Sequence, residues 1–321
     1  IYYICRLITK LRAGIYSFRK KGWLLNSLAI KSKIYLMQSE ILPLSINKRN
    51  ILGRLSSKKM RQKYDCFLVE GNKSVKDLVD YCGNKFEILY FVVVRDNLED
   101  ALKIVEVYTD SVRQRIFVSE SKQSYPEEIT SPPIYCASHD DMKRISSLMS
   151  TPGMIAVCKL PEMSDEEIIY STQLPPDIYL MLDGIQDPGN LGTIIRTAHW
   201  FGIKNIYASK DTVDLYNPKV VQASMGSLGS VEVKYVDLHR LAEANPKIPL
   251  IGLLLDGKNL FDSPISDTGF ILMGNEGNGI SESLRQKIEI ALTIPPHNAE
   301  DHSESLNVAI ATAIVLAHFR K

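Results

Sequence analysis

The sequence predicts an α/β protein of two domains, the second built on a doubly wound parallel sheet. Its 321 residues exceed the usual size of a single domain. Short apolar runs alternate with helical stretches from Ile51 onward. In the C-terminal half those runs are apolar at most positions, which suits parallel strands buried on both faces.

Composition is that of an ordinary globular protein, 45% hydrophobic and 23% charged, which disfavours disordered and fibrous classes. The longest apolar runs, FEILYFVVV at 86–94 and IYLMLD at 178–183, fall short of the roughly 18–20 residues of a membrane span. No membrane association is expected. Five cysteines, Cys5, Cys66, Cys82, Cys136 and Cys158, are widely spaced and form no C-x-x-C pair. That argues against a disulfide framework or a zinc site and for a reducing compartment, so a cytoplasmic location is expected.

The formal charge of +1 conceals an asymmetry, because residues 1–36 carry eight Lys/Arg and no acid. Residues 1–47 read as a basic N-terminal extension that begins without methionine. Three readings of it stay open: sequence translated upstream of a start at Met37, a targeting segment for a mitochondrion or another organelle, or a basic RNA-binding arm.

A smaller α/β domain is expected over 48–159. It runs through a basic helical stretch at 51–64, a strand CFLVEG, a helix NKSVKDLVDYC and the strand FEILYFVVV. Helices at 98–107 and 140–149 then separate the strands RQRIFVSE, PPIYCAS and MIAVCKL. Residues 160–175, acidic and flanked by proline, read as the linker. The second domain, 176–321, alternates strands near 178–183, 204–208, 231–235, 249–255, 270–273 and 290–294 with helices near 190–201, 217–227, 237–244, 281–288 and 305–319.

In an open parallel sheet ligands bind at the carboxyl ends of strands, and three segments there are unusual. LDGIQDPGNLGTIIRTAHWFG at 182–202 leaves a strand, turns at Asp187-Pro188-Gly189 and opens a helix with Asn190 as its expected N-cap. Ile194, Ile195, Ala198 and Phe201 supply the buried side of that helix, which frees Arg196 from packing. ILMGNEGNGIS at 271–281 sets Gly274, Gly277 and Gly279 around Asn275 and Glu276, between a strand and a helix cap at Ser281. Glycines of this kind let backbone approach a ligand. The last segment, 292–321, ends in a helix expected to be capped by Ser305 and apolar nearly all round, hence internal.

Other chemistries are weakly served. The glycine order at 274–279 is not the dinucleotide fingerprint, and Gly257-Lys258 lacks the rest of a phosphate loop. His297 and His302, with Glu300 and Asp301 between them, have no standard zinc spacing, and no metal is expected. Phosphate attraction must come from elsewhere, since residues 176–321 hold twelve Lys/Arg against seventeen Asp/Glu. Residues 48–63 contain Lys48, Arg49, Arg54, Lys58, Lys59, Arg61 and Lys63 and no acid. Arg54, Lys58, Lys59, Arg61 and Lys63 are the candidate RNA contacts.

The three segments together resemble the motifs of the SpoU/TrmH family of RNA ribose methyltransferases. Asn190, Gly192 and Arg196 match the first; Gly274, Glu276 and Gly279 the second; Ser305, Leu306, Asn307 and Val308 the third. NPKVVQASMGSLGSVEV at 217–233 is similar to the family's segment between the first two. Residues 51–158 resemble, more loosely, the ribosomal-protein-like substrate-binding domain that many members carry in front. One departure is the stretch PPHNAEDHSE at 295–304, where the family has a shorter loop with methionine and glycine.

The resemblance implies a trefoil-knotted sheet, an obligate homodimer with its active site near the interface, and S-adenosylmethionine as methyl donor. The implied substrate is structured RNA, rRNA before tRNA, methylated on a ribose 2′-hydroxyl. By the same resemblance Arg196, Asn190, Glu276, Ser305 and Asn307 are catalytic. Leu272, Met273, Gly274, Asn275, Gly277, Gly279, Ile294, Pro295, Leu306, Asn307 and Val308 hold the cofactor. Arginine stays protonated, so Arg196 is expected to hold a phosphate and steady developing alkoxide charge rather than act as a base. The competing expectation is a non-catalytic RNA-binding or ribosome-assembly module with the same fold.

Overall fold

The computed structural model describes residues 40–81, 85–119, 131–162, 166–264, 266–298 and 304–320. Residues 1–39, and with them the three readings of the extension, lie outside these. So do Glu300, Asp301 and His302.

The first domain runs β1 (Ile41–Pro43), α1 (Ile46–Leu52), α2 (Lys58–Tyr64), β2 (Cys66–Glu70), α3 (Asn72–Tyr81), β3 (Ile88–Val94), α4 (Leu98–Ser119), β4 (Ile134–Ala137), α5 (His139–Ile145) and β5 (Met154–Lys159). Its sheet has the order β1-β4-β3-β5-β2. β5 runs antiparallel to both neighbours, and the other pairs are parallel. Three sequence expectations change here. Residues 41–47, grouped above with the extension, supply an edge strand and the start of α1, whose N-cap Ser45 accepts from the Lys48 amide. The basic stretch 51–64 belongs to two short helices, broken by turns at 53–56 and restarted at Ser57. Residues 113–119 continue α4 instead of forming a strand. The buried stripe Ala101, Leu102, Val105 and Tyr108 sets a helical period that carries through a short apolar run of ambiguous local preference.

Helix α6 (Glu166–Ser171) forms within the expected linker, and its Ile169 and Tyr170 join a core cluster of the second domain. That domain continues with β6 (Ile178–Leu182), α7 (Pro188–Trp200), β7 (Asn205–Ala208), α8 (Pro218–Ser224), β8 (Glu232–Tyr235) and α9 (Leu238–Ala244). β9 (Leu250–Asn259), β10 (Gly269–Met273), α10 (Glu282–Arg285), β11 (Ile290–Thr293) and α11 (Val308–Phe319) complete it. The sheet order is β11-β9-β10-β6-β7-β8, parallel throughout.

Strand alternation explains the near-continuous apolar runs. Ile178, Leu180 and Leu182 belong to a cluster with α7, α8 and α11, whereas Tyr179 and Met181 belong to one with α6, α9 and α10. The first of these clusters runs on into the first domain through Phe67, Val75, Leu78 and Phe86. At that junction the Phe67 and Tyr216 rings stand 4.7 Å apart, and Lys85 Nζ donates to the carbonyls of Leu228 at 3.0 Å and Val231 at 2.5 Å. One core cluster therefore spans both domains. Among the described residues no helix is long and apolar enough to cross a membrane.

Candidate active site

The carboxyl ends of β9, β10 and β11 open onto a cavity of about 500 Å³. Its shape follows from a break in the sheet. β11 pairs with β9 at Ala291↔Gly252 and next at Leu292↔Lys258, so residues 253–257 of β9 are left unopposed and Leu253, Leu254 and Leu255 turn into the cavity wall. Gly257 allows this, because a Cβ there would stand 2.4 Å from the Leu292 carbonyl carbon. The glycine-rich loop closes on itself: the Asn275 amide donates to the Gly279 carbonyl at 2.8 Å, and the Gly279 amide returns a bond of 3.0 Å. A Cβ on Gly274 would meet the Gly279 carbonyl carbon at 2.3 Å, and Gly279 itself has φ +69°.

Of the residues named from sequence for the cofactor, Met273, Gly274, Asn275, Gly277, Gly279, Ile294, Leu306, Asn307 and Val308 line this cavity, together with Glu276 and Ser305. Leu272 and Pro295 do not; Leu272 is fully buried in β10, facing the cluster under α9 and α10. Sequence reading missed Leu253–Leu255, Glu304 and Ala311. The signal for the leucines was their place at the end of a parallel strand.

The three segments meet in one hydrogen-bonded chain. Asn307 Nδ2 donates to Asn190 Oδ1 at 2.9 Å, and Asn190 Nδ2 donates to Glu276 Oε1 at 2.9 Å. The amides of Gln186 and Asp187 also donate to the Glu276 carboxylate, each at 3.2 Å. Partial burial acts to raise the Glu276 pKa, but the bonds from Asn190 and the backbone amides outweigh it and hold the carboxyl below its ordinary value. The carboxylate is therefore the bound form at neutral pH. The stabilisation it gives the loop is present above the unfolded carboxylate range and fades as pH falls through the lowered native value.

Two caps differ from expectation. Asp187, not Asn190, is the N-cap of α7, accepting from the Asn190 amide at 2.9 Å. With Pro188 fixed at the first helical position, the cap falls three residues earlier and Asn190's amide side chain is released to bridge. Likewise Asn307, not Ser305, caps α11, its Oδ1 accepting from Ala309 and Ile310. Ser305 stands before the helix at the cavity edge. Ser281 does hold the N-cap position of α10, but its hydroxyl makes no capping bond and its amide donates to Asp183.

Arg196 is exposed on α7, and no described residue bonds its guanidinium; it does not line the cavity. Gly192 serves packing: a Cβ there would stand 2.5 Å from Ala223 Cβ, so α7 and α8 touch at that point.

The basic residues of the first domain divide. Arg54, Lys58, Lys59 and Lys63 are exposed. Arg61, expected among the RNA contacts, is 3% exposed, donates to the carbonyls of Leu55 and Ser56 at 2.8 Å and pairs with Asp214. A side chain so enclosed is unavailable to a phosphate, and that expectation is corrected. Lys48 and Arg49 are also engaged, over the Tyr90 and Tyr135 rings and with Asp141 respectively.

Comparison with known proteins adds the following. Residues 177–317 match the model of the SpoU rRNA Methylase family. The chain is 28% identical over 274 residues to the 23S rRNA (guanosine(2553)-2′-O)-methyltransferase of Bacillus subtilis (strain 168), covering 83% of this chain and 93% of that protein. A solved structure from Porphyromonas gingivalis, assigned to the TrmH family of RNA methyltransferases, is 31% identical with a TM-score of 0.66, covering 86% of this chain and 98% of that one. An AdoMet-bound rRNA methyltransferase from Sinorhizobium meliloti, 23% identical, shares the fold with a TM-score of 0.67 over 88% of this chain and 98% of its own.

Proposed function

This chain belongs to the SpoU/TrmH family of RNA methyltransferases, and from that premise we propose that it methylates a ribose 2′-hydroxyl of ribosomal RNA with S-adenosylmethionine. The observation that carries the reading is the Asn307–Asn190–Glu276 chain, which ties the three segments together at the lip of the cavity. A non-catalytic module with the same fold has no use for an ionised carboxylate held by three donors beside a ligand-sized cavity.

The residues present fit the cofactor. A volume of about 500 Å³ is ordinary for a small-molecule site. Leu253, Leu254, Ile294 and Val308 offer apolar surface to an adenine, and the backbone of 274–279 offers polar groups for a ribose and an amino acid. When bound, the sulfonium supplies an electrophilic methyl group. The chain's part is to hold the acceptor in line and to accommodate the charge that appears as the hydroxyl loses its proton. Glu276 fixes the Asn190 amide, and Asn307 fixes it from the other side. Arg196, uncommitted and cationic, holds the phosphate beside the acceptor and steadies the developing alkoxide.

The finer architecture we propose is the family's trefoil knot and a homodimer. Helix α11 exposes Ile310, and Leu306 before it is also exposed. These, with an Arg196 that lies outside its own chain's cavity, are what a second copy would complete. The purified protein should bind S-adenosylmethionine in calorimetry, show a dimeric mass by light scattering, and place a methyl on a ribose. Transfer to a base atom, or no binding, would sink the reading.

RNA attraction is assigned to the exposed Lys58, Lys59 and Lys63 on α2. Changing all three to alanine should weaken RNA binding and flatten its salt dependence by up to about 0.7–0.9 log units of slope per lost phosphate contact. Cofactor affinity should not move. An unchanged slope would place the RNA path elsewhere.

A further inference from the structure

We propose that the loop 209–214 couples the RNA-binding domain to the acceptor side of the active site, with Arg61 as a positioning residue for methyl transfer. This rests on the proposed function for its chemistry, but its structural half stands apart from it.

Helix α2 faces two ways. Lys58, Lys59 and Lys63 point outward, while Arg61 points inward and reaches Asp214 of the second domain. A buried guanidinium is costly unless it is paired, and here three acceptors, the carbonyls of Leu55 and Ser56 and the Asp214 carboxylate, meet three of its five N–H donors. The contact is therefore geometrically demanding, unlike the apolar packing around Phe67.

Asp214 lies in the loop that follows β7, and that loop holds the one after β6 residue by residue. Ser209 Oγ accepts from the Gly184 amide at 2.8 Å, Thr212 Oγ1 from the Ile185 amide at 3.3 Å, and Gln186 Nε2 donates to the Asp211 carbonyl at 2.7 Å. The Val213 amide closes the set on the Ile185 carbonyl at 2.8 Å. Gln186 and Asp187, so placed, present their amides to Glu276, which holds Asn190. On its other side Asp214 leads into α8: its carbonyl accepts from the Asn217 amide at 3.0 Å, and Asn217 caps that helix. α8 in turn touches α7 at Gly192, between Asn190 and Arg196.

Arg61 thus grips a loop that leads on one side, through Gln186 and Asp187, to the Glu276 carboxylate and on the other to the Arg196 helix. Docking of RNA on the outer face of α2 and alignment of the acceptor are mechanically linked through it. Misplacement of a reacting group by about 1 Å can cost on the order of 10²-fold in rate. A displaced loop would therefore slow transfer without emptying either binding site.

The test uses the full chain with Asp214→Asn and Arg61→Gln, singly and together, and with Arg61→Lys should Arg61→Gln fail to fold. Amide hydrogen exchange at 184–187 is read alongside single-turnover methylation at saturating RNA and S-adenosylmethionine, and equilibrium binding of each. Faster exchange at 184–187 is expected, with the single-turnover rate lowered about 10–100-fold and both affinities unchanged. The double variant should be no slower than Arg61→Gln alone, because loss of the guanidinium already leaves position 214 without its partner. If folded variants keep wild-type exchange and wild-type turnover, or lose only melting temperature, Arg61 is interdomain glue and the proposal is overturned. If the unaltered protein methylates no RNA, the proposed function fails, and the exchange measurement still decides whether the loop is coupled.

Discussion

Replacing Arg196 by alanine is expected to lower methyl transfer by about 10²–10³-fold, the range seen when one donor to a developing oxyanion is removed. Affinity for S-adenosylmethionine should stay at its wild-type value, because Arg196 does not line the cavity. Stability should hardly change, since the side chain is exposed and no described residue bonds it. Lysine at this position should restore little: it keeps the charge but loses the fork that meets phosphate or carboxylate bidentately. Calorimetry with S-adenosylmethionine, thermal unfolding and single-turnover methylation of the variant separate these outcomes. A drop in cofactor affinity that matches the drop in rate would mean that Arg196 serves the donor side, and the role assigned to it would have to be abandoned.

What could be read before the structure depended on how local each feature was. The centre of the second sheet was the most legible part, because β6 and β10 are buried along their whole length and so leave near-continuous apolar runs. The glycine-rich loop was legible for a similar reason: Gly274 and Gly279 are required by close approach and by positive φ. Pairings between distant segments were not. Nothing at 61 announces that its partner lies at 214, and a run of seven bases reads as a phosphate surface until one of them is found 3% exposed against an aspartate. Leu253–Leu255 read as ordinary strand because the register break against β11 depends on tertiary pairing. The caps were displaced by a few residues because Asp187, Asn190, Ser305 and Asn307 are all competent capping types. Pro188 at the first turn sets Asp187 as the cap of α7, and Asn307 caps α11 with its Oδ1 while its Nδ2 makes the bridge to Asn190.

That bridge gives a second large effect, and a way to divide it. Asn307 does two jobs with two atoms: Oδ1 caps α11 by accepting from Ala309 and Ile310, and Nδ2 donates to Asn190. Asn307→Ala removes both, so it should cost about 0.5–2 kcal/mol of stability through the lost cap as well as activity. Asn307→Asp keeps an acceptor at the helix N-terminus, where a negative charge is favourable, but it has no donor for Asn190 Oδ1. The aspartate variant should therefore melt like wild type while transferring methyl groups about 10–100-fold more slowly, as expected when Asn190 loses one of the two partners that orient it. Asn190 could turn its amide to meet the new carboxylate only by withdrawing Nδ2 from Glu276, so either arrangement leaves the Asn190–Glu276 pair misaligned. Thermal unfolding and single-turnover rates of the two variants check this directly. If Asn307→Asp is as unstable as Asn307→Ala, the cap is not where the stability lies. If it is fully active, the hydrogen-bonded chain between the three segments is an accident of packing rather than part of the site.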